Sequence, residues 1–298
     1  MAEARADAAE LLATRPAGRS LWSDAWLRLR RNRAALAGAV LLCVIAVASV
    51  VGPALAPHAY DAIYWDHVGS APDVALGHYF GTDANGRDLF ARVLVGGRVS
   101  LTLGIAATLV SIVIGVAWGA AAGYLGGRVD AVMMRGVDIL YALPFMFFVI
   151  LLMVYFGRDP LLIFVALGAV SWLDMARIVR GQTLSLKRRE FIEAATASGT
   201  RPGAIIIRHI VPNCLGPVIV FATLTVPQVI LYESFLSFLG LGVQEPMTSW
   251  GVLISEGARQ IETAWWQLVF PSAFLAVTLF SLNFIGDGLR DALDPKDR

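Results

Sequence analysis

The stretch PLLIFVALGAVSWLDMARIVR, residues 160–180, decides the fold, because whether it crosses a membrane fixes the side on which everything after it lies. It has fourteen uncharged residues before Asp174 and then carries Arg177 and Arg180, whereas a hydrocarbon core asks for about 20 apolar residues. Uncharged runs at 34–56, 99–127, 139–157, 210–232 and 263–286 can each span. If 160–180 crosses too, residues 1–33, 124–138, 177–209 and the tail from Asp287 share one side and hold 19 of the 24 Lys and Arg. Arg87, Arg92, Arg98, Arg158 and Arg259 remain on the other side. That split is what the positive-inside rule predicts for a chain with both termini in the cytoplasm. Omitting the span would move the seven basic residues of the central stretch outside. An all-α membrane protein with six transmembrane helices is therefore expected, with Asp174 and Arg177 near the inner end of the fourth, where Arg177 can snorkel.

Composition agrees. At 57% hydrophobic, 16% charged and a mean hydropathy of +0.66, the 298-residue chain lies far from a soluble average. Cys43 and Cys214, both in or beside apolar runs, offer no disulfide framework and read as packing residues.

Residues 1–33 form a cytoplasmic tail, disordered at first. LWSDAWLRLRRNR (21–33) then reads either as an interfacial helix or as a basic stop before the first span, 34–56. Ala54-Leu55-Ala56 resembles a cleavage site, but over 30 residues precede the run and it exceeds a signal-peptide core, so it is expected to stay. Residues 57–98 form an extracytoplasmic segment. Its Asp83, Asn85 and Gly86 lack the ligand spacing of a calcium loop and read as a Gly/Asp turn. His58, His67 and His78 share no helix face, and no metal site is expected. A core of 99–290 follows, in which residues 234–262 are too interrupted to span and Trp265 and Trp266 suit the interface. Residues 291–298 are a cytoplasmic tail.

Inside the core, EFIEAATASGTRPGAIIIRHIVP (190–212) is polar, Ala-rich and broken by Gly. Good helix formers lead to Gly199, where a left-handed residue is needed. Thr200 can cap a second helix with Pro202 in its first turn. Ala194, Ala195 and Ala197 give the first helix a low face that another protein can approach closely. Pro212 either ends the second helix or kinks the chain into the next apolar run.

Glu193-Ala194-Ala195, three residues, Gly199 and then Val211-Pro212 resemble the EAA loop of permease subunits of bacterial ABC importers. The broad pattern has Ile where His209 stands and prefers Leu at Val211; RHxxPN, as at 208–213, is ordinary in the peptide branch. GTDANGRDLFARVLVGGRVSL (81–101), AGYLGGRVDAVMMR (122–135), SFLGLGVQEP (237–246) and GDGLRDALDP (286–295) resemble C-type permeases of oligopeptide and dipeptide systems. GRSLW (18–22), PFMFFVILL (144–152) and SWLDMARIVRGQTLSLKR (171–188) look like the oligopeptide branch in particular.

The resemblance implies a type I ABC importer permease fold forming half of a translocation channel. Its partners would be a homologous second permease, two cytoplasmic ATPases, an extracytoplasmic peptide-binding protein and membrane lipid, with no nucleic acid. Residues 193–199 would be the coupling helix in an ATPase groove: Glu193 anchoring, Ala194 and Ala195 allowing close docking, Gly199 turning the corner, with Arg201 and Pro212 completing the loop. The bacterial inner membrane is the expected location. No cofactor is expected in this chain, ATP and magnesium being used by the partner ATPases.

The residues fit that division of labour. The only lysines are Lys187 and Lys296, and neither ends a Gly-rich phosphate loop, so the chain has no P-loop. HExxH and Gly-x-Ser-x-Gly are absent, and Phe284 interrupts the Gly-x-Gly-Asp pattern of intramembrane proteases. A secondary transporter would show an internal repeat and midplane ion sites, and neither is found. A dipeptide or nickel permease is the rival within the class. Asp138, Asp174 and Glu233 are the ionisable groups near spans; all three lie close to expected span ends, where hydration or pairing with Arg135 or Arg177 is easy. Pro144 and Pro227 read as pathway kinks or as tolerated breaks, and Met146, Phe147 and Phe148 as channel lining or as packing.

Overall fold

A computed structural model describes residues 21–157 and 160–293. The readings of the extreme tails, residues 1–20 and 294–298, lie outside it. Among the described residues there is no β-strand, only isolated bridges such as Thr82 with Asp88.

Residues 21–31 form a helix separate from the first span. α1 (Leu21–Arg31) stops at Asn32, whose side chain accepts from the Ala35 amide at 3.1 Å and so starts α2 (Arg33–Leu55). Cys43 is exposed on α2, contrary to its reading as a packing residue; Cys214 is buried. Beyond Arg33 nothing charged interrupts the exposed face of α2, so lipid suits it as well as protein does.

α3 (Leu89–Leu125) begins ten residues before the apolar run at 99, so its first turns belong to the expected extracytoplasmic segment. Asp88 caps it by accepting from the Ala91 amide at 2.8 Å. Arg92, counted above among the charges of the outer side, is fully buried and paired with Asp83 and Glu256. A charged residue that carries its own counter-ions need not end a helix.

α4 (Gly127–Ala142) and α5 (Phe145–Phe156) replace the single span expected at 139–157. They meet at 79°. Pro144 forces Leu143 into extended backbone (φ −76°, ψ 133°) and stops α4. α5 is then about 18 Å long, too short to cross alone. Pro217 and Pro227, by contrast, lie inside a helix that continues through them.

α6 (Pro160–Leu186) runs unbroken through Asp174, Arg177 and Arg180. Asp174 is mid-helix, about 18 Å of helix from Leu186, because α6 continues six residues beyond the expected span. α6 lies against α3 along Gly115, Gly119 and Gly123. A Cβ at these positions would stand 2.6 Å from Met175, 2.3 Å from the Ala176 carbonyl oxygen and 2.7 Å from Thr183. Small residues at every fourth position let two helix backbones touch.

α7 (Glu190–Ala197) and α8 (Pro202–Ile205) form the helix pair of the loop, and a wide turn, Ile206–Ile210, leads into α9 (Val211–Phe238). α10 (Trp250–Arg259) is short, as the interrupted sequence requires, and α11 (Trp266–Leu293) passes through the expected tail boundary at 290. By length and composition five helices among the described residues can cross a membrane, and six if α4 and α5 count as one bent span.

Candidate functional site

α7 starts with Glu190 and Glu193 in its first turn, where carboxylates complement the helix dipole. Ile192, 2% exposed, drives into a cluster with Tyr124, Met175, Val179, Ile205 and Ile210 and fastens the loop to the ends of α3, α6 and α9. Lys187, just before α7, donates from Nζ to the Tyr124 carbonyl at 2.6 Å. Two turns further into α6, Arg180 grips Asp130 of α4 through two hydrogen bonds of 2.6 and 2.7 Å. The base of the loop is thus tied to three helices, while Glu193 and Ala194 stay exposed and Ala195 is half-buried against the cluster.

The corner is built as the sequence requires. Ser198 ends α7, Gly199 takes φ +75°, the Gly199 amide donates to Thr196 O at 3.0 Å and the Thr200 amide to Ala195 O at 3.1 Å. These are the two bonds of a Schellman motif. Thr200 is not the cap of α8: Arg201 holds that position, its carbonyl accepting from Ala204 and Ile205 amides while its side chain is exposed. Pro202 at the first helical position needs no amide partner.

Pro212 does not end the second helix, and no bend of more than 40° is found there. The turn upstream widens instead, the Val211 amide donating to Ile206 O five residues back. The extra residue makes room for a proline ring that would otherwise press on the carbonyl four residues earlier. His209 sits half-buried in this wide turn, and its carbonyl accepts from the Asn213 side chain at 2.6 Å. Beside α7 a cavity of about 590 Å³ is walled by Tyr124, Leu125, Lys187, Ile192, Glu193 and Thr196. An exposed helix with small side chains, a fixed corner and an adjoining groove can receive another protein; it contains no nucleophile–base pair.

The remaining candidates fall elsewhere. Asp138 pairs with Arg177 at 2.9 Å. Glu233 is neither hydrated nor paired with an arginine: it is fully buried, accepting from Ser237 at 2.7 Å, Ser249 at 2.6 Å and Ser100 at 3.4 Å, a polar strut joining α9, α3 and the start of α10. Phe147 is exposed, whereas Met146 packs on the core.

At the opposite end, the Gly/Asp turn is confirmed. Asp83 Oδ1 accepts from the Asn85 and Arg87 amides at 2.8 and 2.9 Å, and Gly86 has φ +78°. Arg87 also pairs with Glu245 at 2.9 Å. Burial alone would lower its pKa; the hydrogen bonds and charges of Asp83 and Glu245 outweigh that and hold it above its usual value. His58 stacks on His78 at 4.1 Å and His67 lies 5.7 Å from His78, so the fold gathers three histidines that sequence spacing had kept apart. His78 is tied to Asp88 at 2.8 Å, and among the described residues no group of three His, Cys, Asp or Glu could hold a metal. Trp266 is buried, donating to Thr82 O at 3.3 Å, while Trp265 is exposed as expected of the interface.

Residues 111–298 match the family described as binding-protein-dependent transport system inner membrane component, and residues 20–72 match the N-terminal TM domain of oligopeptide transport permease C. The oligopeptide transport system permease protein OppC of Escherichia coli (strain K12) is 62% identical over 281 residues, 94% of this chain and 93% of that protein. OppC of Haemophilus influenzae is 56% identical, over 94% and 90%. The dipeptide transport system permease protein DppC of Bacillus subtilis (strain 168) is 46% identical, over 94% and 87%.

Proposed function

The chain belongs to the family of binding-protein-dependent transport system inner membrane components, and on that premise we propose that it is a permease subunit of an ATP-driven oligopeptide importer. Oligopeptide permeases at 62% and 56% identity stand nearer to it than the dipeptide permease at 46%, while Bacillus subtilis OppC, at 43%, stands just beyond; the balance favours the longer cargo. Both termini lie in the cytoplasm, the side that collects most of the basic residues. A homologous second permease completes the channel, an extracytoplasmic binding protein delivers the peptide, and two ATPases use ATP and magnesium outside this chain.

The observation that carries this reading is α7: an exposed helix held at its base by Ile192 and turned by a Schellman corner. It enters a groove on one ATPase, with Glu193 making polar contacts, Ala194 and Ala195 permitting close approach, and Arg201 at the rim. Because α8, the wide turn through Ile210 and α9 are continuous across Pro212, movement of α7 passes into a membrane helix without a loose joint. ATP-driven closure then switches the channel between two rigid-body states.

Reconstitution tests this. Proteoliposomes with both permeases and both ATPases should take up radiolabelled tripeptide only with ATP and the binding protein present. ATP-independent uptake driven by an ion gradient, or no uptake at all, would overturn the importer reading.

A further inference from the structure

The helix break at Leu143 and Pro144 leaves a cavity of about 340 Å³ between the end of α4, the middle of α6 and the middle of α9. Tyr141 and Phe221 supply aromatic walls, and Ser171, Asp174, Thr225 and Gln228 supply polar ones. Asp174 makes no hydrogen bond or ion pair with another described residue. The arginines best placed on its own helix are engaged elsewhere. Arg177 donates to Asp138 at 2.9 Å and lies 4.0 Å over the Tyr141 ring, and Arg180 is held by Asp130. An unpaired carboxylate midway along a membrane helix is expensive without a function.

The hydroxyls sharpen the chemistry. Ser171 donates its proton to Leu167 O and Thr225 to Phe221 O, each at 2.8 Å, so both turn only lone pairs toward other groups. Among the described residues of the lining Asp174 is the one charged side chain, and Gln228, Tyr141 and Tyr232 can accept as well as donate, so the site is anionic, although Arg177 already covers the Tyr141 ring. Its complement is a group with positive charge and several N–H donors. A primary ammonium has three donors and no acceptor. We propose that this cavity is a subsite for a primary ammonium group of the transported peptide, with Asp174 as its counter-charge; the proposal rests on the importer reading. The α-ammonium is the group that linear peptides share whatever their side chains, so a channel that passes mixed sequences can hold it without reading the rest. The volume lies at the small end of ligand pockets and suits the head of a peptide.

Saturation-transfer NMR on the membrane complex in nanodiscs, with no binding protein added, reads weak binding directly. The probes are trialanine, N-acetyl-trialanine and N-acetyl-Ala-Lys-Ala. Trialanine should bind the native complex, weaken by about tenfold or more in Asp174→Asn, as expected for loss of a charged hydrogen bond, and recover in Asp174→Glu. N-acetyl-trialanine should bind weakly to all three. If the lysine peptide binds as trialanine does, the site takes any primary ammonium; if it does not, the site takes the α-ammonium, and both outcomes support the proposal. Equal binding of trialanine and its acetylated form to the native complex overturns it, with no variant needed, as does native affinity in Asp174→Asn. ATP-driven uptake by the same native preparation tests the importer reading separately: uptake without ammonium preference at this site sinks the subsite alone, and no uptake sinks the importer.

Discussion

Replacing Gly199 with valine puts a β-branched residue at φ +75°, in a corner whose glycine has nothing within 4 Å of an added Cβ. The change therefore causes no clash, and its cost is conformational, about 1–2 kcal/mol for an L-residue in left-handed backbone, with β-branching at the upper end. Two corner hydrogen bonds, of 3.0 and 3.1 Å, oppose it, each contributing about 0.5–1.5 kcal/mol. Strain and restraint are comparable, so the native corner should lose population by a factor of about 5–30. Insertion should not suffer, because Gly199 touches no membrane helix. In proteoliposomes of the assembled transporter, Gly199→Val should hydrolyse ATP near the native rate while peptide uptake per ATP falls several-fold. Two controls isolate the cause. Gly199→Asn should retain most coupling, since Asn tolerates this backbone. Gly203→Ala, equally open but within α8, should be neutral or mildly favourable because alanine is the better helix former. Native uptake per ATP in Gly199→Val, or equal damage in Gly199→Asn, would refute the role given to the corner.

Arg92→Met should take one of two arginines from Asp83, which keeps Arg87, and the partner of the one-third exposed Glu256, and so destabilise the outer end by about 1–3 kcal/mol, the usual cost of removing one partner from a buried polar network; an unchanged thermal midpoint in membranes would contradict it. Gly119→Leu should separate α3 from α6, because its Cβ meets the Ala176 carbonyl at 2.3 Å and backbone cannot turn aside. A loss of about 1–3 kcal/mol or more should appear as raised protease sensitivity. Reporter fusions after Arg189 and after Pro295 should read cytoplasmic, and one after Asp73 external; an external reading at Arg189 breaks the topology.

Residues that act through their neighbours in sequence were legible, and residues that act through distant partners were not. Gly199 follows a run of helix formers, and the corner it makes depends only on residues 195–200. The charge asymmetry that brings residues 160–180 across the membrane is likewise a property of the chain as written. The start of α3 was not legible because Arg87 and Arg92 look like surface charges until Glu245 and Glu256, 158 and 164 residues away, are brought to them. The three histidines of residues 57–98 meet for the same kind of reason, through a loop fold that no helical periodicity describes. The row Gly115, Gly119, Gly123 was visible in the sequence, but a row of small residues does not say which helix lies on it. Pro212 misled because a proline looks like a terminus, and only the added residue of the wide turn lets the helix continue.

These features assign different mechanical parts to different helices. α6 carries Asp174 at its middle and leads, at its end, into α7. The glycine row locks it to α3 over two turns of close backbone contact, and Lys187 and Arg180 fasten its lower half to α3 and α4. A push on α7 therefore cannot move α6 alone; α3 must travel with it. The compliant place is where the backbone is already broken, at Leu143 and Pro144, and that break borders the cavity holding Asp174. Closing or opening the angle between α4 and α5 changes the walls of this cavity without breaking a single α3–α6 contact. If α7 is the ATPase contact proposed above, coupling and cargo release can be one motion, in which force received at Glu193 and Ala194 is delivered to the walls around the Asp174 carboxylate.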